Sequence, residues 1–546
     1  MASVFSLLTQ RFEVAVGGDP QLRPASRPEF GHFQCNSAMR LATQEKVAPR
    51  QVAQRIVDSV DVADLCEPLE IAGPGFINIR LKTEVLAAAV NEQLADPGSG
   101  IVRAEQPQTV VVDYSAPNVA KPMHVGNLRS TIIGDCIVRV LRAVGHTVIP
   151  QNHIGDWGTQ FGMLVEQILH EGVDAASLDL NGSVALYRRA QAHFREDPGF
   201  ADAARRRVVA LQAGDEQTRQ VWRALIEVSK AGFNAAYGRL GVLLTDDDLA
   251  GESMYNEMLA PVAQDLEQAQ VAKVDDGALV VFVPGDETPL IVRKGDGGFG
   301  YAATDLAALR YRFGQLGADR IIYVVGIPQS HHFQQVFAVA RMAGWVPENG
   351  STEFVGFGSV LGPDGKMFKT RDGGTVTLNY LLDAAEEAAA PDVAMAAVKY
   401  ADLSSSLHKD YIFDVDRMTQ TTGNTGPYLQ YAHARTSKIL REAEARGLAP
   451  DQAQVTVLAE PDEQLLALHL TKYADVVAAL AEELQPHKLC TYLFDLASLY
   501  STFYEQCPVL RSDGEVRSSR LALCRATRQV LASGLGLLGI VAPDAM

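Results

Sequence analysis

The stretch that most limits what this chain can fold into is residues 109–151. Here the run TVVVDYS leads through a polar loop into LRSTIIGDCIVRVLRAVG and then into HTVIPQ. A continuous β-branched run of this kind reads as a strand buried on both faces. In the next segment Ile132, Cys136, Val140 and Ala143 fall on one helical face, Gly145 stops the helix, and a second strand begins. Strand, helix and strand in that order predict a crossover unit, and with it an open parallel sheet. The loop between strand and helix therefore opens at the carboxyl end of a strand, where such sheets bind ligands. A helix N-terminus offers unpaired N–H groups and a partial positive charge, both suited to phosphate. Within it, Gly126 permits close approach. His124 is placed to donate to a phosphate oxygen as negative charge builds.

The chain has 546 residues, more than one core accommodates, so several domains are expected. Residues 1–105 mix short helices, with Val52, Ile56 and Val60 at helical spacing, and an extended GPGFINIRL; the polar, glycine-containing segment from Asp96 marks a boundary. The opening MASVFSLLTQRFEVAV is interrupted by Gln10 and Arg11 and reads as an amphipathic helix, not a signal peptide. RIIYVVG at 320–326 reads as a further inner strand. Between the two strand regions, about 170–270, lies a helical, charge-rich insertion containing Arg205, Arg206 and Arg207. Beyond residue 376 the pattern is helical, with Leu466, Leu470, Tyr473, Val477 and Leu480 in one apolar stripe.

Charge argues against a generally basic surface: Lys+Arg is 48 against Asp+Glu 66, a formal charge of -18. A nucleic-acid partner then needs a local basic track. No apolar run approaches the ~20 residues of a membrane span. The six cysteines show neither CxxC nor finger spacing, and suit reduced thiols in a cytoplasmic protein.

The run SAPNVAKPMHVGNLRST resembles the HIGH signature of class I aminoacyl-tRNA synthetases, and in particular that of the arginyl-tRNA synthetase family. Asn127 stands where the family usually has a second histidine, and its amide can still donate. A second signature half is expected downstream. GPDGKMFKTRDGGT, some 240 residues later, resembles the mobile KMSKS loop, with Phe368 in place of the usual serine. The resemblance implies catalytic roles for His124, Asn127, Lys366 and Lys369. It implies ATP contacts from Lys121, His124, Gly126, Asn127 and Lys369.

The rest of the resemblance runs across the whole chain. DGGFGYAATDLAALRYR matches the family's amino-acid pocket, with Tyr301 and Asp305 four residues apart on one helical face. A carboxylate such as Asp305 suits a planar guanidinium with its five donors. YVVGIPQSHHFQQ adds Gln329, and the first strand end adds Asp113 and Asn118 for the substrate's α-amino and neighbouring groups. At the front, Phe76 and Asn78 are the expected tRNA contacts; at the back, Tyr428, Gln430, Tyr431 and Arg435 are candidates to stack on or read bases.

The implied architecture is α/β, with a Rossmann-like parallel-sheet catalytic domain at 106–375 carrying the helical insertion. An α+β tRNA-contacting domain precedes it at 1–105. A connecting helical segment spans 376–425, and an all-α anticodon-binding domain spans 426–546. The implied substrates are L-arginine, tRNA(Arg) and ATP with Mg2+, without a protein-bound metal, in a cytoplasmic monomer that touches no membrane. Two other readings compete. GDGGFG at 295–300 satisfies the GxGxxG pattern of a dinucleotide-binding oxidoreductase. A tRNA-binding relative with a decayed site is the second, opposed by the retention of His124, Lys366 and Lys369.

Overall fold

Four parallel strands form the floor on which the rest is built, in the order Ser351–Phe357, Arg320–Gly326, Thr109–Asp113, Thr147–Gln151. The computed structural model describes residues 3–368 and 376–546. The two central strands bury almost every residue, Val110 through Tyr114 and Ile321 through Val324, which accounts for their unbroken apolar runs. The sequence of this region predicts a helix with one apolar face, but Val125–Ala143 is buried nearly all round. Its charged residues Arg129 and Asp135 are inside with it.

The insertion opens with four helices, Thr159–Glu171, Leu180–Glu196, Pro198–Ala213 and Glu216–Leu240, each but the first opened by an aspartate side-chain cap, and Asn256–Gln268 comes after them. A small antiparallel sheet, Lys273–Asp275, Ala278–Val281 and Leu290–Arg293, follows. Its last strand is the one that precedes GDGGFG. A dinucleotide fingerprint needs a strand of the parallel sheet before it, so this glycine run is a turn after an antiparallel ribbon, and the oxidoreductase reading loses its structural context.

The N-terminal unit is a four-stranded antiparallel sheet with helices Val4–Val16, Ser37–Glu45 and Pro49–Ser59. The C-terminal region is a helical bundle closed by Gly514–Leu537. The apolar stripe from Leu466 to Leu480 is fully buried but does not lie on one helix: Pro461–Leu470 ends and Tyr473–Glu483 begins across Thr471 and Lys472. All six cysteines are unpaired and buried. Among the described residues no helix is long and apolar enough to cross a membrane.

Candidate active site

The loop that leaves Asp113 and enters the helix at Val125 has an unusual backbone. Ser115, Ala116 and Ala120 all take left-handed conformations, with φ of 71°, 45° and 58°. Non-glycine residues hold such angles only where the surroundings impose them, and they concentrate at functional sites. Here side chains impose them. Ser130 Oγ accepts from the Ser115 N–H at 2.9 Å, Asn152 Oδ1 from the Ala116 N–H at 3.0 Å, and Ser229 Oγ from the Ala120 N–H at 2.8 Å. The loop also pairs with the chain after the neighbouring strand, through Val119 N–H to the Gly155 carbonyl. Exposed Asn118 lies in this pairing opposite Gly155, where its amide occupies the space a Cβ would need.

His124 caps the helix that follows. Its Nδ1 accepts from the Gly126 N–H at 2.9 Å, so the neutral ring carries its proton on Nε2 and can donate from there. Surrounding protein, and then the Lys121 ammonium, hold its pKa below the ordinary histidine value. The ring is thus a neutral donor at neutral pH, with an edge open to solvent. A Cβ on Gly126 would come within 2.7 Å of this ring, which is the local reason for glycine there.

Asn127 acts differently from the expectation. Its Oδ1 accepts from the His124 N–H at 3.0 Å and its Nδ2 donates to the Ser115 carbonyl at 3.1 Å. Buried and with its amide engaged, it positions the loop and His124 in place of reaching a phosphate itself. Lys121 lies with its ammonium 4.8 Å from the Tyr187 ring centroid, on the insertion side.

The second signature half comes back to the first. Val125 N–H donates to the Val376 carbonyl, and Leu378 N–H to the Met123 carbonyl, so the chain following the lysine loop runs alongside His124. On the other side, Leu361 bridges Met367, exposed Lys366 sits on a turn closed by Asp364, and Phe368 packs edge-on to Phe413. Lys369 lies outside the described residues.

Acidic side chains gather beyond the ends of the same strands. Helix Tyr301–Gly314 carries Tyr301, 72% exposed in its first turn, and Asp305 one turn on. Asp305 Oδ2 meets His332 Nε2 at 2.6 Å, joining this helix to Ser330–Met342, whose N-cap is the exposed Gln329. Two further acids were missed by sequence reasoning: Glu252, which stands near Asp305, and Asp156, which stands near Glu252. Glu252 is half-buried; burial, then the charges of Asp156 and Asp305, raise its carboxyl to about 8. Asp156 is buried, its carboxylate bonded by the Ser253 N–H and hydroxyl at 2.8 Å and 2.6 Å. Their sequence signal is weak: a Glu in GESMYN and an Asp in NHIGDW mean nothing until the fold brings the first near Asp305 and the second near the first. Asp113 is buried and paired from within the protein. Its Oδ2 accepts from Arg312 at 2.7 Å, and the fully buried guanidinium also reaches Gln151. The pair braces the strand end.

The terminal candidates divide similarly. Phe76 is half-buried, whereas Asn78 is buried and accepts from Gln34 at 2.7 Å, within the N-terminal sheet. On helix Gly426–Ala445, Tyr431 is exposed, Tyr428 packs on Phe494, and the Arg435 guanidinium stacks 4.0 Å from the Tyr504 ring centroid. Gln430 has no exposed surface and donates to the Val541 and Asp392 carbonyls. That corrects the expectation of a base contact: its amide ties down the chain end.

Comparison with known proteins follows the same three parts. Residues 8–81 match the family described as Arginyl tRNA synthetase N terminal domain, residues 89–415 tRNA synthetases class I (R), catalytic domain, and residues 429–546 the DALR anticodon binding domain. The chain is 61% identical to a curated Cutibacterium acnes protein named arginine--tRNA ligase, over 100% of both. It is similar to the solved arginyl-tRNA synthetase of Plasmodium falciparum, with a TM-score of 0.87, 28% identity and 100% of each chain covered. The Thermus thermophilus arginyl-tRNA synthetase gives 0.83 at 25% identity over 99% of each.

Proposed function

Since the chain belongs to the arginyl-tRNA synthetase family of class I tRNA synthetases, we propose that it joins L-arginine to its cognate tRNA in two steps through an arginyl-adenylate. In the first step the arginine carboxylate attacks the α-phosphorus of ATP and pyrophosphate leaves. In the second, a hydroxyl of the tRNA's terminal ribose attacks the adenylate carbonyl and AMP leaves. Neither step needs a protein nucleophile; both need positioning and charge stabilisation. Magnesium arrives with ATP as part of that substrate.

His124 Nε2 donates to the phosphate oxygen on which charge accumulates, with Lys121 beside it. Lys366 and Lys369 neutralise the departing pyrophosphate, a role supported by the pairing of residues 376–378 with the chain at His124. Gly126 and Asn127 hold His124 in place. Asn118 and Gln329 face the α-amino end of arginine, and Tyr301 covers the side chain. Asp305 takes the guanidinium, with Glu252 as a second acceptor. The tRNA lies along the N-terminal sheet near Phe76 and the C-terminal bundle near Tyr428, Tyr431 and Arg435. The enzyme works as a cytoplasmic monomer, with its domains divided near residues 105, 375 and 425.

The observation that carries arginine as the substrate is the gathering of Asp305, Glu252 and Asp156 beside the phosphate loop, with the His332 ring hydrogen-bonded to Asp305. A planar cation with forked donors satisfies several acceptors; a lysine ammonium presents one compact charge. Charging assays with total tRNA and each amino acid in turn test this, and a different amino acid attached in preference to arginine would overturn it. Within the pocket, Asp305→Asn keeps shape but loses charge. Its arginine KM should rise by orders of magnitude, as in sites that read hydrogen bonds, while the ATP KM stays nearly unchanged. A change under about threefold on that scale would make Asp305 a structural carboxylate.

A further inference from the structure

One helix of the insertion, used by none of the steps above, touches several of the segments that build the site. Helix Glu216–Leu240 carries Trp222, Ser229 and Tyr237, seven and eight residues apart, so that all three share a face. Trp222 Nε1 donates to the Asp156 carbonyl at 2.8 Å. Ser229 Oγ accepts the Ala120 N–H, and the Tyr237 hydroxyl meets Ser115 Oγ at 2.7 Å and accepts from Asn152 Nδ2 at 2.9 Å. Asn152 in turn holds the Ala116 N–H, and Thr131 donates to Ser115 Oγ at 2.9 Å.

The targets are not arbitrary. Ser115, Ala116 and Ala120 are the left-handed residues of the phosphate loop, and each is gripped directly or through one intermediary by this helix. Such backbone does not persist without external restraint. Asp156 belongs to the carboxylate group of the arginine pocket. Ser229 and Tyr237 are buried, and burial keeps the tyrosine hydroxyl protonated by raising its pKa to about 12. The helix face therefore sets the relative placement of the phosphate loop and the amino-acid pocket, through groups that are out of a substrate's reach.

We propose that Trp222, Ser229 and Tyr237 are positioning residues for adenylation: one face of the insertion helix holds the strained loop and the Asp156 segment in their reactive arrangement. This rests on the loop being the ATP site. A His124→Ala control separates the two ideas: unchanged pyrophosphate exchange in that variant overturns the site and the proposal with it, whereas a loss there beside unchanged rates in the helix variants overturns the helix proposal alone.

The test uses the full chain carrying Tyr237→Phe or Ser229→Ala, each of which preserves packing and removes one hydroxyl. Arginine-dependent ATP–pyrophosphate exchange and the melting midpoint are measured together. Misplacement of a reacting group by about an ångström lowers rate on the order of 10²-fold; kcat is expected to fall toward that value while both KM values and the midpoint move little. The double variant Ser115→Ala/Tyr237→Phe should lose less than the product of its parents' losses, because both substitutions break the one Ser115–Tyr237 contact while each removes a further contact of its own. Unchanged kcat in both single variants, a loss that follows the melting midpoint, or losses that multiply in the double variant would each overturn the proposal.

Discussion

Glu252 is the residue whose chemistry depends most on what surrounds it. Without arginine its carboxyl, raised to about 8 first by burial and then by Asp156 and Asp305, carries a proton at neutral pH. In the proposed site the arginine guanidinium would favour the ionised form and lower that pKa, so that binding would drive the proton off. The group's pKa is higher in the empty pocket than in the filled one, so affinity is greatest above about 8 and weakens as pH falls through it. Arginine KM is expected to drop as pH rises toward 8, approaching tenfold per unit. Calorimetry in buffers of different ionisation enthalpy should record proton release, and Glu252→Gln should flatten both. An undiminished slope in the Gln variant would place the titration on another group. The placement of Asp305 one helical turn after Tyr301 was legible in the sequence from the spacing of the two. Glu252 and His332 were not, since their roles come from contacts across tens of residues that no local pattern encodes.

At the scale of the element, the helix Val125–Ala143 shows how a signature and a fold constrain each other. Its start at Val125 comes three residues before the run from Leu128 that the sequence offers, because His124 caps it; its end was readable from Gly145. Its burial on every side was not, because Arg129 and Asp135 look like residues of a wet face until their partners are known. Asn127 has a similar history: it looks like a catalytic donor, yet both halves of its amide bind backbone. The helix yields a separation of activity from stability. Gly126→Ala improves helix propensity by up to about 1 kcal/mol, yet its Cβ displaces the His124 ring. The melting midpoint should hold or rise, while adenylation falls on the order of 10²-fold, as when one transition-state donor is lost. A fall in both together would mean that the helix start, not the ring, had been disturbed.

Across the whole molecule, the catalytic part, the connecting helices and the C-terminal bundle are bolted by buried or half-buried polar groups. Arg129 meets Asp402 at 3.2 Å with neither side chain exposed, Lys399 donates to the Gly539 carbonyl at 2.6 Å, and Arg320 joins Glu353 to the Ala481 carbonyl. Removing one partner of a buried pair costs about 3–5 kcal/mol, whereas replacing both by apolar residues is often neutral. Arg129→Met should therefore destabilise to that extent in denaturant titrations, and Arg129→Met/Asp402→Leu should regain most of it; failure to regain would show that the Lys409 carbonyl, not Asp402, is the partner that matters. The formal charge of -18 gave no hint of these joints, because a total carries no positions. The buried thiols give the molecule a set of internal reporters. Two cysteines lie in the N-terminal unit, one in the signature helix and three in the C-terminal bundle. A thiol reagent is therefore silent on the folded protein and labels each region as it opens. Mass spectrometry of the labelled peptides during slow denaturation would give the order in which the three parts come undone, and an added surface cysteine would take a fluorophore without removing any of the six.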